Sequence, residues 1–174
     1  PFGNWYTSMV TQFLYTAAEL NAAGVTGGKI DGLDWVVTAN NGISSYPEFT
    51  VKMGCTNITA LTSGVQETGL FTVYPAATYN VVIGSNPIPF ATAFEWDGVS
   101  NIIIEVCFTN GPPYPNYTYN AVTPNTATAY ISSQWWLSDS QDQCPGATGF
   151  WSNSLRFVLQ AGLTQGQKLY SGKT

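Results

Sequence analysis

Apolar and polar residues alternate over short stretches of this chain, and the clearest stretch lies between residues 89 and 108. Its first half predicts a strand, Trp96-Asp97-Gly98 predicts a tight turn, and residues 101–108 predict a second strand. One face of that second strand consists of Ile102, Ile104, Val106 and Phe108. The other face is also mostly apolar, although it includes Glu105, so we expect the strand near the middle of a sheet, covered on both sides.

Period-two patterns recur along most of the chain, and turn residues separate them at short intervals. The cleanest runs from Glu48 to Met53, with Phe49, Val51 and Met53 predicted to face inward and the intervening polar residues outward. Further strands are predicted within residues 30–37, 70–74, 79–83, 88–94, 117–122, 127–137 and 155–160. The pattern predicts an all-β fold, an antiparallel β-sandwich of jelly-roll-like kind.

One helical signal interrupts these strands, at residues 16–24. Thr16 and Glu19 have the spacing of a capping box, and Gly24 stands where a helix would end. The sequence therefore predicts one short helix, about two turns long, across an end of the sandwich.

The apolar alternation also divides the chain into regions. Residues 1–160 are predicted to form a single β-sandwich domain, whereas residues 161–174 gather Gly, Gln and Lys and are interpreted as a C-terminal arm or linker. Three prolines between positions 112 and 115 remove backbone donors, which predicts a stiff exposed loop.

Composition narrows the classes of partner. Charged residues make up 9% of the chain and the net charge is −5, so the polar surface must consist largely of Ser, Thr, Asn, Gln and Tyr. The five basic residues are dispersed, which argues against binding nucleic acid or an anionic membrane surface. No apolar run approaches the roughly 20 residues that a spanning helix needs, so we expect no membrane insertion. Such a surface suits an extracellular protein.

Three cysteines, Cys55, Cys107 and Cys144, permit three different single bridges, each leaving one thiol over. We favour Cys107–Cys144, which would join the predicted central strand to the loop at residues 138–146. Closing a loop of that size is worth about 3–4 kcal/mol in the chain-entropy model. The alternative is three reduced, buried thiols.

Several segments taken in order resemble a known family. They are PFGNWY at 1–6, YTAAELNAAG at 15–24, VKMGCT at 51–56, PFATAFEWDG at 89–98 and NIIIEVCF at 101–108. Together they resemble a β-sandwich module of large secreted and cell-surface Bacteroidota proteins, adhesin-like cargo of type IX secretion. The resemblance covers roughly residues 1–160. It implies an extracellular or cell-surface location and no cofactor, and it supplies no catalytic residues.

Candidate chemistry is limited because the chain has no histidine, which removes imidazole bases and histidine-containing metal sites. Carboxylate pairs could serve glycoside hydrolysis, the candidates being Glu95, Asp97 and Glu105, or Asp139 and Asp142. A hydrogen-bonded structural role explains them more simply. Calcium could be held by Asp139 and Asp142, or by Asp31 and Asp34, although loop aspartates are also common turn residues.

Aromatic residues are the more distinctive candidates for binding. Trp135 and Trp136 are adjacent, so on a strand one ring must point inward and the other outward. Tyr114 and Tyr117 lie beside the proline loop, and Trp151 follows the last cysteine. Outward rings could stack on sugars or anchor a protein partner, while core filling is the alternative for each.

These observations favour a non-catalytic structural or adhesive module of a secreted surface protein or filament. Exposed strand edges and the terminal arm would let neighbouring modules or identical subunits join by strand addition. Two alternatives remain: a carbohydrate-binding module that uses exposed aromatics, and a glycosidase that relies on carboxylates alone.

Overall fold

A computed structural model of the protein describes residues 1–2, 6–111, 120–124, 126–144, 146, 150–152, 159–160 and 167–171, with backbone alone at 126, 150–152, 159–160 and 167–171. The elements in chain order are β1 (Ser8–Tyr15), α1 (Ala17–Ala22), β2 (Gly28–Val37), β3 (Ala39–Asn40), β4 (Ser45–Thr56), β5 (Phe71–Asn80), β6 (Gly84–Trp96), β7 (Asn101–Thr109), β8 (Ala121–Val122), β9 (Thr126–Ala127), β10 (Ser133–Ser138), β11 (Phe150–Ser152), β12 (Leu159–Gln160) and β13 (Gln167–Ser171).

Two antiparallel sheets dominate this arrangement. The larger has six strands in the order β11-β10-β1-β7-β4-β5, and the smaller has three in the order β13-β2-β6. Two short pairs, β12 with β9 and β3 with β8, complete the described ladders. The predicted fold class, an all-β sandwich-like fold with one short helix, is confirmed.

The main hydrophobic core lies between the two sheets. Trp35 and Leu33 from β2 belong to the same buried cluster as Phe49 from β4 and Ile104 from β7. All four side chains are at most 2% exposed. Alternation along each strand therefore turns one face of each sheet toward the other, as the period-two patterns predict.

Phe2 inserts its ring into this core from the start of the chain, and its side chain is 1% exposed. The ring centroid lies 5.7–6.1 Å from the rings of Trp35, Tyr46, Phe49 and Tyr79. The Tyr46 hydroxyl also donates a hydrogen bond of 2.7 Å to the Phe2 carbonyl. Phe2 thus joins aromatic side chains from β2, β4 and β5.

The predicted central strand is confirmed as β7. It pairs with β1 on one side and β4 on the other, and every residue from 102 to 109 is buried. Both faces of the strand are covered, as its apolar composition indicated.

The predicted helix is confirmed as α1, and its capping box is present. The Thr16 hydroxyl accepts from the Glu19 backbone N–H, and the Glu19 carboxylate accepts from the Thr16 backbone N–H at 2.8 Å. Gly24 follows the helix with a φ of +84°, a conformation that glycine adopts without a Cβ clash.

The predicted turn between β6 and β7 has the expected chemistry. An Asp97 carboxylate oxygen accepts the backbone N–H groups of Val99 and Ser100, and Gly98 has a φ of +81°. These hydrogen bonds, with a third from the Ser100 hydroxyl, lower the pKa of Asp97. The strands on either side do not pair with each other: β6 belongs to the small sheet and β7 to the large one. The turn therefore bridges the two layers.

Some predicted boundaries are shifted. The strand expected at residues 79–83 ends at Asn80, because the Asn86 side chain bonds both backbone groups of Val82 and closes a loop there. Within the C-terminal region interpreted as an arm or linker, β13 pairs with β2 over five residues.

Candidate functional site

Polar side chains form a continuous row across the outer face of the large sheet. Gln12 on β1 lies opposite Gln134 on one side and Glu105 on the other, and Glu105 lies opposite Lys52. Lys52 in turn lies opposite Thr72 on β5. Residues directly opposite each other in antiparallel strands point to the same face, so the five side chains cross five strands in one line, termed the polar row.

Glu105 is the centre of the polar row and is 2% exposed. One carboxylate oxygen accepts a hydrogen bond of 2.8 Å from the Lys52 ammonium, which also makes it an ion pair. The other oxygen accepts from the side-chain amides of Gln12 at 2.8 Å and Gln66 at 3.1 Å. The cost of burying this charge is thereby offset by one cation and two further donors.

The polar row also holds the connection between β4 and β5, residues 57–70, against the sheet. The Gln12 side chain donates to the Glu67 carbonyl at 2.7 Å and accepts from the Glu67 N–H at 2.9 Å. Gln134 donates to the Val65 carbonyl at 2.6 Å. A loop without strand partners of its own thus satisfies backbone groups on side chains of the sheet.

Apolar side chains flank the polar row on both sides. On one side, Val10, Cys107 and Trp136 form a buried cluster with Cys144 packed against it. On the other side, Leu14, Ile103 and Leu61 form a second cluster beneath the loop. The outer face of this sheet is therefore a second, smaller core divided by a polar line.

The predicted disulfide Cys107–Cys144 is confirmed, with a Cα–Cα distance of 5.5 Å. It fastens the segment after β10 over the outer face. The Ser8 hydroxyl helps by accepting the Gln143 N–H at 2.9 Å. Cys55, the remaining cysteine, has a free and exposed thiol. Partial burial and the charge of Asp97 raise the pKa of this thiol.

A groove of about 240 Å³ lies between the β4–β5 connection and the segment that the disulfide fastens over the sheet. Its floor is the Lys52 and Glu105 end of the polar row. One wall is the loop from Gln66 to Leu70, and Cys144 with Gly146 lines the opposite side. Thr72 from the edge strand β5 completes the lining.

The two tryptophans point to opposite faces, as predicted, but the outward ring is not available as a binding surface. Trp136 does point to the outer face, but its side chain is 4% exposed because it packs against Val10 and the disulfide. Trp135 points the other way and packs, partly buried, against the main core. Tyr114 and Tyr117 lie outside the described residues. The side chain of Trp151 does as well, although its backbone pairs with Trp136 in β11.

Three of the four calcium candidates accept hydrogen bonds from backbone N–H groups. Asp139 accepts the Thr7 backbone N–H at 3.0 Å, and Asp142 accepts the Cys144 N–H at 2.8 Å. Asp34 is buried and accepts from the Asn86 backbone at 2.7 Å. In the described part of the chain, no three Cys, Asp or Glu side chains group as metal ligands would.

Among the glycosidase carboxylates, Glu105 lies in a different sheet from Glu95. Glu95 lies on β6 in the small sheet, 3.8 Å from Lys29, and both side chains are more than half exposed. Asp97 is occupied by its turn, whereas Glu105 lies on the outer face of the large sheet. The carboxylate that shares the groove with Glu105 is Glu67, which sequence reasoning did not single out.

Four members of the polar row, Gln12, Lys52, Thr72 and Gln134, were likewise not predicted as site residues. A usable signal existed for two of them. Gln12 lies within the mostly apolar strand β1, Gln134 directly precedes the apolar residues of β10, and each is 0% exposed. A buried glutamine needs hydrogen-bond partners, so it indicates a polar cluster even where the sequence pattern does not say which residues form that cluster.

Comparisons of the chain with protein-family models, curated proteins and solved structures found no match. Within the described residues, no helix has both the length and the apolar character needed to cross a bilayer.

Proposed function

We propose that this chain is a non-catalytic structural or adhesive module of an extracellular surface protein or filament, joined to neighbouring modules or identical subunits by strand addition. The observation that carries the proposal is the construction of the small sheet. Its ten-residue strand β2 is completed on one side by β13, a five-residue strand from the end of the described chain.

On the side of the sandwich away from β13, the edge strands are β5 and β6, and both contain prolines. Pro75 lies in β5, and Pro87 and Pro89 lie in β6. Proline cannot donate to a ladder, and it blunts an edge against pairing with another chain. The Tyr79 hydroxyl also ties β5 to β6 by donating to the Pro87 carbonyl at 3.2 Å. Strand addition is therefore directed to the β2 side, where β13 can be exchanged for its copy from a neighbour.

Chemistry and compartment support the same proposal. The Cys107–Cys144 disulfide is typical of proteins from oxidising, extracellular compartments. Both oxygens of the Glu105 carboxylate already accept hydrogen bonds, from Lys52 and two amides, which supports a non-catalytic module. The resemblance of five segments to modules of secreted Bacteroidota proteins also favours this proposal.

Light scattering and negative-stain electron microscopy over a range of concentrations test this proposal. Leu169→Pro fixes φ and removes the backbone N–H donor of this residue in β13. Leu169→Ala, the matched control, keeps the N–H and leaves φ unrestricted. We expect the wild type and Leu169→Ala to form dimers or filaments and Leu169→Pro to lose them. A strict monomer at all concentrations, or assembly that Leu169→Pro leaves unchanged, would refute strand exchange through β13.

A further inference from the structure

We propose that the groove over Lys52 and Glu105 is a binding site for one neutral, hydroxyl-rich sugar ring. This inference does not rest on strand exchange, since the groove lies on the outer face of the large sheet and β13 belongs to the small one. It also places sugar binding away from the tryptophan pair.

The floor of the groove is polar where packing alone would favour apolar residues. Clusters around Val10 and Leu14 flank the polar row on the same face. Replacing a buried ion pair by apolar residues of similar volume is often neutral or stabilising, so packing does not require Lys52 and Glu105 here. Gln12, Gln134 and Glu105 all hold the covering loop, Glu105 through its hydrogen bond from Gln66, whereas Lys52 lies beyond them at the opening. A charged pair on a sheet face where apolar residues would pack as well breaks the usual packing rule, and such exceptions are typical of functional sites.

Hydrogen-bond capacity remains at this opening. The Lys52 ammonium has three donors, and its side chain is 28% exposed toward the groove. Thr68 and Thr72 are exposed residues of the lining, and each hydroxyl both donates and accepts. A ligand that matches them must carry several groups that donate and accept at once, as sugar hydroxyls do.

The charge of the groove lining argues against the main alternative ligand, a small anion. Lys52 contributes one positive charge, while Glu67 and Glu105 contribute two negative ones. An anion drawn to Lys52 would meet both carboxylates, so a neutral ligand is favoured. Leu70 adds an apolar surface against which the C–H face of a ring can lie. A volume of about 240 Å³ equals that of about eight water molecules, which suits one ring and not a large ligand.

The test uses the full chain, labelled with nitrogen-15, and records amide shifts during titration with D-glucose, D-galactose, D-mannose, N-acetylglucosamine and, as the anion probe, acetate. A ligand of this size should bind with a Kd of about 1–10 mM. We expect shifts at Thr68, Gly69 and Thr72 with at least one sugar. An oligosaccharide array distinguishes a free sugar from a ring within a chain.

Two variants of the exposed edge strand serve as a matched pair, because neither removes a buried group. Thr72→Phe fills the groove, whereas Thr78→Phe adds the same ring to β5 outside it. Sugar binding that weakens about tenfold or more in Thr72→Phe and persists in Thr78→Phe supports the proposal. Four results would overturn it: no sugar bound in solution or on the array, equal binding by both variants, shifts away from the groove, or tighter binding of acetate.

Discussion

Replacing Lys52 by methionine should destabilise the protein by much more than a surface substitution. The Lys52 ammonium lies 2.8 Å from the Glu105 carboxylate, whose side chain is 3% exposed. Removing one partner of a buried pair typically costs about 3–5 kcal/mol, because the other charge stays buried without compensation. Lys52 itself is 28% exposed, so water can partly replace it, and we expect about 2–3 kcal/mol.

Glu105→Met should cost less, about 1–2 kcal/mol, because the abandoned ammonium of Lys52 can turn toward solvent. In that variant the Gln12 amide keeps its bond to the Glu67 carbonyl. The double variant with both methionines should lie within about 1 kcal/mol of the wild type, since apolar residues then continue the flanking clusters. The two single costs sum to about 3–5 kcal/mol, so the interaction energy of the cycle should be about 2–6 kcal/mol in magnitude once the roughly 1 kcal/mol allowed for the double variant is included.

Urea denaturation at pH 7 measures these differences from the midpoints, provided that the slope m stays constant. For a chain of this size, each 1 kcal/mol also shifts Tm by about 2–4 °C. Lys29→Met is the matched control: its ammonium lies 3.8 Å from Glu95 with both side chains largely exposed, and it should cost under about 0.5 kcal/mol. The reasoning fails if Lys52→Met costs no more than Lys29→Met, or if the double variant costs the sum of the two single ones.

Three further predictions concern the core, the disulfide and two glycines that lie close to neighbouring atoms. Phe2→Ala should cost about 3–5 kcal/mol in the same urea assay and Phe2→Leu clearly less, because the leucine still fills part of the aromatic cluster. Replacing Cys107 and Cys144 together by alanine should cost about 4 kcal/mol, from a closed loop of 37 residues, while thiol titration of the folded wild type without reductant should find one thiol per chain. Gly32→Ala should cost about 1–3 kcal/mol because the new Cβ would lie 2.9 Å from a backbone carbonyl of β6; Gly54→Ala should cost less, since its 2.7 Å contact is the mobile end of a leucine.

Local signals explain the parts of the fold that the sequence predicts well. The capping box of α1 and the turn at Asp97 and Gly98 depend on residues within a few positions of each other. The alternation of β4 is likewise a property of one segment: Phe49, Val51 and Met53 are all 0% exposed, as predicted. Each of these features is written in a single window of the chain.

Alternation does not predict whether an outward-facing residue is exposed, because exposure depends on which segment covers that face of the sheet. The alternation correctly assigns Trp136 and Trp135 to opposite faces, yet Trp136 is buried because the segment after β10 is fastened over it by Cys144. Alternation assigns a side of the strand and says nothing of a covering loop. The prediction that the outward ring of Trp136 is exposed is wrong for that reason.

Scanning windows can indicate single members such as Gln12, but it cannot assemble the polar row, since its members come from five separate strands. Register is what brings them together, and the row in turn discriminates between registers. Hydrophobic alternation penalises a slip of one residue, which exchanges the two faces, but a slip of two residues keeps every apolar side chain on its face. Such a slip of β7 along β1 would place Glu105 opposite Val10 or Leu14 instead of Gln12. Along β4 it would place Glu105 opposite Thr50 or Gly54, away from the Lys52 ammonium. A buried carboxylate would then lose its cation and an amide donor, so this one charged residue on a nearly apolar strand separates the native register from those that alternation alone leaves equivalent.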